Sequence, residues 1–422
     1  MKLGKAATCS LRRLSVIVVL ATTMFAASRE KVLYSFAGGN DGSAPFAGVA
    51  ADRAGNLYGT TYFGGSSNCF LWGCGVVFEL SPVSSGHWTE KVLYAFSGGM
   101  DGAHPKSNLI LDSSGNLYGT TYNGGITSCG DTNGCGTVFE LSPNSDGTWA
   151  ETVLHAFQGG SDGAYPVGGL VLDQEGNLYG TNSDLAFELS PSHEGWVETV
   201  LHQFGYPDGE DPESNLIFDA AGNLYGTTRY GGNFSCVLGC GIVFELSPNS
   251  NGPWTETILK TFEGGGNGGW AEAPLVFDSQ GNLYSTLTNF GNGFGLAFEL
   301  LRVGNKWNET LRYNFCARNN CIDGQRPSGL VLDPQGDFYG TTNMGGQFRS
   351  GTVFQLTPRR FGWKETVIHS FGRGQGEGSS PYGGVIRDAR GNLYGTTLQG
   401  GDAQCESQYG FGCGTVFEVD AD

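Results

Sequence analysis

The residues best placed to do chemistry lie in one short phrase, D-G-x-X-P, which recurs seven times along the 422-residue chain. The X position reads Ala44, His104, Tyr165, Asp211, Trp270, Arg326 and Ser380, while almost every neighbouring position repeats. In the fifth copy Ala271 stands where the proline would be. Trp270 and Tyr165 could stack on sugar faces, and Arg326, Asp211 and His104 could supply hydrogen bonds. His104 and Asp211 are the one pair to nominate as general base and acid, on loops two copies apart. The competing reading is drift at an exposed loop tip. Aromatic residues elsewhere in the repeat, Tyr62, Phe63, Tyr122, Tyr230 and Phe290, would extend the same surface.

The first residue of the phrase is Asp41, Asp101, Asp162, Asp208, Asn267, Asp323 or Glu377. Seven such residues circling one channel mouth could attract cations or hold Ca2+. The preferred reading is an Asp-Gly turn whose side chain bonds its own backbone, because calcium loops gather several carboxylates within a few residues. No other cofactor is expected. His155, His202 and His369 fall where other copies have Tyr34, Tyr94 or Tyr313, and are read as packing substitutes rather than metal ligands. A glutamate repeated as Glu79, Glu140, Glu188, Glu245, Glu299 and Glu418 becomes Gln355 in the sixth copy, which suggests a hydrogen bond between sheets rather than acid–base work. Ten cysteines form close pairs, Cys69/Cys74, Cys129/Cys135, Cys236/Cys240, Cys316/Cys321 and Cys405/Cys413, most simply five local disulfides. The eleventh, Cys9, precedes the apolar N-terminal run.

These residues need a scaffold, and the scaffold is a phrase. GNLYGTT stands at Gly55–Thr61, Gly115–Thr121, Gly222–Thr228 and Gly391–Thr397, with degraded copies at Gly176–Asn182, Gly281–Leu287 and Gly336–Thr342. Around each copy lie an apolar run ending in Asp, the phrase itself, a TVFELSP run and an ETVLHAF run. Each is short, β-branched or aromatic, and flanked by turn residues, so the unit is four strands. The first two strands are joined by D-x-x-G, and those aspartates are read as turn caps. Spacings of 46 to 61 residues suit propeller blades. The odd outer strand comes first, at Glu30–Phe36, and the odd third strand last, at Gly414–Asp420. Pairing the two closes a ring, so the expected fold is all-β: a seven-bladed β-propeller of four-stranded blades, filling residues 29–422 as one domain. An open stack, with atypical capping repeats, is the rival.

Residues 1–28 read as a cleaved secretory signal: Lys2, Lys5, Arg12 and Arg13, then Leu14–Ala26, then small residues. Removing them takes Lys+Arg from 23 to 19 against 41 Asp+Glu, so the net charge goes from −18 to −22. Nucleic acid and anionic membranes are thereby poor partners. No later run is apolar enough to span a membrane. A secreted, extracellular monomer is expected.

The set GNLYGTT, GG.DG..P, GTVFELSP and W.ETVLY, covering nearly the whole mature chain, resembles the bacterial GloVer (Gloeobacter/Verrucomicrobium) tandem repeat of secreted proteins. The resemblance implies export, a repeat fold and, in other members, a choice of C-terminal anchors; it implies no defined activity. The chain reaches its last strand without an anchor being read. Long, variable loops that carry all ten paired cysteines suggest a binding or scaffold protein whose loop face holds a glycan or cell-envelope component. The alternative is an extracellular lyase or hydrolase acting on polysaccharide or small molecules at the channel mouth.

Overall fold

The computed structural model describes residues 30–420, except 67, 70–71, 85, 131, 234–235, 237, 250–251, 265–268, 289–292, 305, 361 and 375. The signal segment, Cys9, Asn267 and Phe290 lie outside the described residues. Seven antiparallel blades form a ring. In blade one the strands run Ala50–Ala51, Leu57–Thr61, Val76–Pro82 and Trp88–Ala95, from the axis outward. The same order repeats through the ring.

The last blade is closed by both ends of the chain. Lys31–Ser35 pairs antiparallel with Thr415–Val419, with Lys31 opposite Glu418 and Ser35 opposite Thr415. Its remaining strands are Leu393–Thr397 and Ile386–Arg387. The ring predicted from the sequence is therefore present, and the open stack is not.

The repeated phrase encodes packing. Its second glycine faces the Phe of the third strand, Gly59 opposite Phe78. A Cβ on Gly59 would come within 2.5 Å of the Phe78 ring, and one on Gly226 equally close to Phe244. In blade five Ser285 stands there instead, and its hydroxyl donates to the Pro274 carbonyl at 2.9 Å. The Asp of the first turn works as read. Asp52 Oδ1 accepts the Ala54 and Asn56 amides at 2.9 Å, and Asp52 Oδ2 accepts the Tyr58 hydroxyl at 3.2 Å. The repeated glutamate does not bridge sheets. Tyr58 and Glu79 are register partners within one blade, and the Tyr58 hydroxyl reaches Glu79 Oε1 at 3.4 Å. Gln355 donates to Tyr339 at 3.2 Å in the sixth blade, so the residue needs only to meet a phenol.

Blades are joined by aromatic pairs. The Phe ending each outer strand packs against the third-strand Phe of the next blade, edge-on in Phe96 on Phe139 at 5.2 Å and Phe157 on Phe187 at 5.3 Å. The closing junctions obey the same rule, Phe371 on Phe417 at 5.0 Å and Phe36 on Phe78 at 5.1 Å. The Trp opening an outer strand lies against a Tyr of the preceding blade, as Trp149 does on Tyr58. All five expected disulfides are formed. Four brace loops between second and third strands; Cys316–Cys321 braces the entry to blade six. Blade three has only residues 182–184 at that place, where Asn182 Oδ1 accepts the Leu185 amide at 3.0 Å. Among the described residues no helix is long and apolar enough to cross a membrane. Five disulfides fit an oxidising compartment.

If the ring is continuous, Phe36 is as much a core residue as Phe157, both being fully buried. Phe36→Ala and Phe157→Ala should each lower the unfolding free energy by roughly 3–5 kcal/mol in a urea titration. A loss below about 1 kcal/mol at Phe36, with Phe157 costly, would show a frayed closure.

Candidate functional site

The seven variable residues before the proline share one backbone state. Ala44, His104, Tyr165, Asp211, Trp270, Arg326 and Ser380 all have φ between 55° and 60°. A left-handed non-glycine residue costs about 1–2 kcal/mol, so something must hold it there. Six of their amides donate to the blade before, among them His104 to the Cys74 carbonyl at 2.7 Å, Tyr165 to Cys135 at 2.8 Å, Trp270 to Cys240 at 3.0 Å and Ala44 to Cys413 at 2.9 Å. The carbonyl accepts from the residue after GNLYGTT, as Asp211 does from the Arg229 amide at 3.0 Å. With its backbone committed on both sides, the position leaves the side chain unconstrained. That is why the chain repeats around it and varies at it.

The residue after the proline is a second free column, and it faces the axis. Phe46, Lys106 and Val167 from the first three blades, and Glu213, Glu272, Ser328 and Tyr382 from the others, all line a central cavity of about 480 Å3. Of the column read from the sequence, only Trp270 and Arg326 line it. The missed column carries the same signal, side-chain variety within a fixed phrase; its direction becomes plain only once the left-handed kink is known.

The cavity has two unlike walls. On one side Phe46 meets Tyr62 at 5.2 Å, Tyr382 at 5.4 Å and Tyr409 at 5.3 Å, all edge-on. Here His104 stacks flat on Tyr62, 4.7 Å between centroids, and its Nδ1 lies 3.0 Å from Asn123 Oδ1. Burial lowers the His104 pKa, which favours the neutral ring. Tyr165 leans on Tyr122 at 5.3 Å, and Lys106 Nζ lies 5.8 Å over the Tyr122 ring.

The opposite wall is charged. Arg229 bridges Glu213 Oε1 at 3.2 Å and Glu272 Oε1 at 3.0 Å. Its guanidinium also lies 5.0 Å from the Tyr230 ring centre and 5.2 Å from that of Trp270. The Thr288 hydroxyl donates to Glu272 Oε2 at 3.0 Å. Burial, then the Glu213 charge, raises Glu272 above the usual carboxylate range although Arg229 pulls it down. Burial, with Glu213 second, pushes Asp211 up to about 6. Burial and the Glu272 and Glu213 charges push the Tyr382 hydroxyl up to about 12, so the two walls feel each other across the mouth. Among the described residues no hydrogen bond or ion pair joins His104 to Asp211; they belong to opposite walls.

The D-G aspartates sit elsewhere. Asp41 accepts the Tyr34 hydroxyl at 3.0 Å and the Ala37 amide at 2.9 Å; Asp101 and Asp323 bond Tyr94 and Tyr313 alike. Their partners are on outer strands, so Asp41, Asp101, Asp162, Asp208 and Asp323 do not circle the channel mouth. The backbone bonds are those of the turn reading. A glutamate from the next outer strand completes each junction, and at two junctions an imidazole stands close to both acids: His155 with Asp162 and Glu198, His202 with Asp208 and Glu256.

The fold and its axial cavity define a seven-bladed propeller with an asymmetric channel mouth. A model of the Gloeobacter/Verrucomicrobia repeat matches residues 21–236, 125–301 and 235–422, and the chain belongs to that family. No curated protein sequence matches. Similar solved structures include virginiamycin B lyase from Staphylococcus aureus, at 13% identity over 93% of this chain and 99% of that one, TM-score 0.55. A luciferin-regenerating enzyme is 14% identical over 74% of this chain and 90% of its own, TM-score 0.45. At such identities the first likeness is one of fold alone.

The junction glutamates give a pH signature. Burial, then Asp41, pushes Glu90 up to about 7; burial, then Asp101, does the same to Glu151. Their model-peptide value is 4.5, so the native state keeps protons that the unfolded chain sheds above that pH. Stability present below pH 4.5 is therefore lost as pH rises to about 7. Thermal melts should show a higher Tm at pH 5 than at pH 8, and a flatter profile in the double variant Glu90→Gln, Glu151→Gln. A Tm that climbs from pH 5 to 8 would contradict this.

Proposed function

We propose that this protein is an exported binding propeller whose channel mouth takes a neutral polyhydroxylated ligand, a glycan unit of an extracellular polymer or cell envelope. The observation that carries the reading is the pairing of walls: aromatic faces at Phe46 and Tyr382 opposite a partly buried Glu213–Arg229–Glu272 bridge beside Trp270. Sugars present apolar C–H faces to rings and hydroxyls to carboxylates and guanidinium groups. Lys106, Arg229 and Arg326 face Glu213 and Glu272, with Asp211 adjoining, three charges of each sign, so the mouth favours no strongly charged ligand. The cavity is of a size suited to one or two sugar rings. A net charge of −18 over the whole chain argues against nucleic acid.

One observation favours catalysis as a second reading. Asp211, up to about 6 beside Glu213, is a carboxyl poised near neutrality, as a lyase or hydrolase would need.

Glycan arrays followed by calorimetry test the first reading. Tyr382→Ala should weaken a bound glycan about 3- to 10-fold, and Glu272→Gln about 10- to 100-fold, with melts unchanged within a few degrees. Wild-type affinity in both variants would overturn the site. Release of shortened product from that glycan, abolished by Asp211→Asn, would replace binding by catalysis.

A further inference from the structure

Junctions between outer strands bring together one ring, one acid of the loop, and one glutamate of the following blade. Tyr34 faces Asp41 and Glu90; Tyr94 faces Asp101 and Glu151. At two consecutive junctions the tyrosine is replaced by histidine. There, His155 with Asp162 and Glu198, and His202 with Asp208 and Glu256, place three ligating atoms within 4.8 Å of one another. We propose that these two junctions are zinc sites that clamp blade three to blades two and four.

The distances suit the ion. A tetrahedral Zn2+ with ordinary Zn–N and Zn–O bonds of about 2.0–2.2 Å needs ligand atoms roughly 3.3 Å apart. His155 Nε2 lies 3.0 Å from Asp162 Oδ1; His202 Nε2 lies 3.5 Å from Asp208 Oδ2 and 4.0 Å from Glu256 Oε2. One nitrogen and two carboxylate oxygens form a borderline donor set that a first-row divalent ion prefers to Ca2+, which wants six to eight oxygens.

A second observation points the same way. Glu256 Oε1 is sealed from solvent without a hydrogen-bond partner, and His202 Nε2 meets carboxylate oxygens only at 3.5 and 4.0 Å. Such atoms are costly unless an ion or water meets them. Glu90 and Glu151 have a like oxygen, but a phenol there brings no ligand nitrogen and donates its proton to the Asp. The third histidine makes no third site. His369 Nε2 lies 3.6 Å from Glu30 Oε2, but Glu377 does not join them within 4.8 Å as the loop acids do at the other two.

The location gives the sites a purpose. No cysteine lies between Cys135 and Cys236, so blade three and both loops flanking it have no disulfide. Both histidine junctions fall in that gap. This revises the reading of His155 and His202 as packing substitutes.

The test uses untagged protein stripped with EDTA, reloaded with Zn2+, desalted and measured by mass spectrometry of the metal. Two zinc ions per chain are expected, one in His155→Tyr or His202→Tyr, and none in the double variant. Tyrosine is what the repeat itself uses at Tyr34, Tyr94 and Tyr313, so these variants should fold. Zn2+ should raise the Tm of the parent protein by several degrees and leave the double variant unmoved. Equal zinc uptake by parent and double variant, or no zinc retained by the parent, would overturn the proposal; in the latter case the triads are imidazole–carboxylate bridges only.

Discussion

The hydrogen bonds between Lys31–Ser35 and Thr415–Val419 are what the remaining regularities depend on. In a row of blades the end sheets would each leave one apolar face in water. In a ring every blade has two neighbours, so each outer-strand Phe meets a third-strand Phe, including Phe36 on Phe78 across the closure. The largest fully buried side chains are almost all phenylalanines of this kind. One residue type at fixed positions can then serve all junctions. The same constraint keeps the repeat uniform in its sheets and frees it in its loops, which is how blade three could shed the loop at 182–184 without breaking the ring.

Uniform sheets also explain where variety is allowed. The pre-proline residue is held left-handed by an amide bond to the previous blade in six copies, so Trp270, Arg326 and His104 adopt one backbone state at similar cost. Two residues further on, Glu213, Glu272 and Tyr382 precede the inner strands and line the cavity. Chemistry is thus placed on a frame that does not respond to it.

Much of this was legible in the chain. The repeat length, the odd outer strand at Glu30–Phe36, the odd third strand at Gly414–Asp420 and the five cysteine pairs carry the architecture without coordinates, because period and count are sequence properties. Direction is not. His104 was a reasonable acid–base nominee by type, yet its ring is stacked on Tyr62 and held by Asn123. Asp41 and its counterparts belong to the outer rim, since Asp41, Asp101 and Asp162 bond back to a tyrosine or histidine a few residues earlier on the outer strand. Glu79 meets its own blade's Tyr58, because cross-strand register decides its neighbour. Glu213 and Glu272 went unread because nothing in sequence spacing tells which residue emerges from a left-handed turn toward an axis.

Arg229, Glu213 and Glu272 also bear on the question of drift. They stand at two different repeat positions in two blades, yet they meet as one bridged set with bonds of 3.2 and 3.0 Å. A partly buried arginine alone, or either glutamate alone, would be an uncompensated charge and would cost several kcal/mol. Independent drift at exposed tips has no reason to produce mutual compensation across a blade boundary, nor to set Trp270 and Tyr230 against the same guanidinium. The three positions compensate one another as a set. A purely structural staple would have been satisfied by repeating one pair around the ring, as the Phe pairs are, whereas this one occurs where the cavity is and faces the aromatic wall.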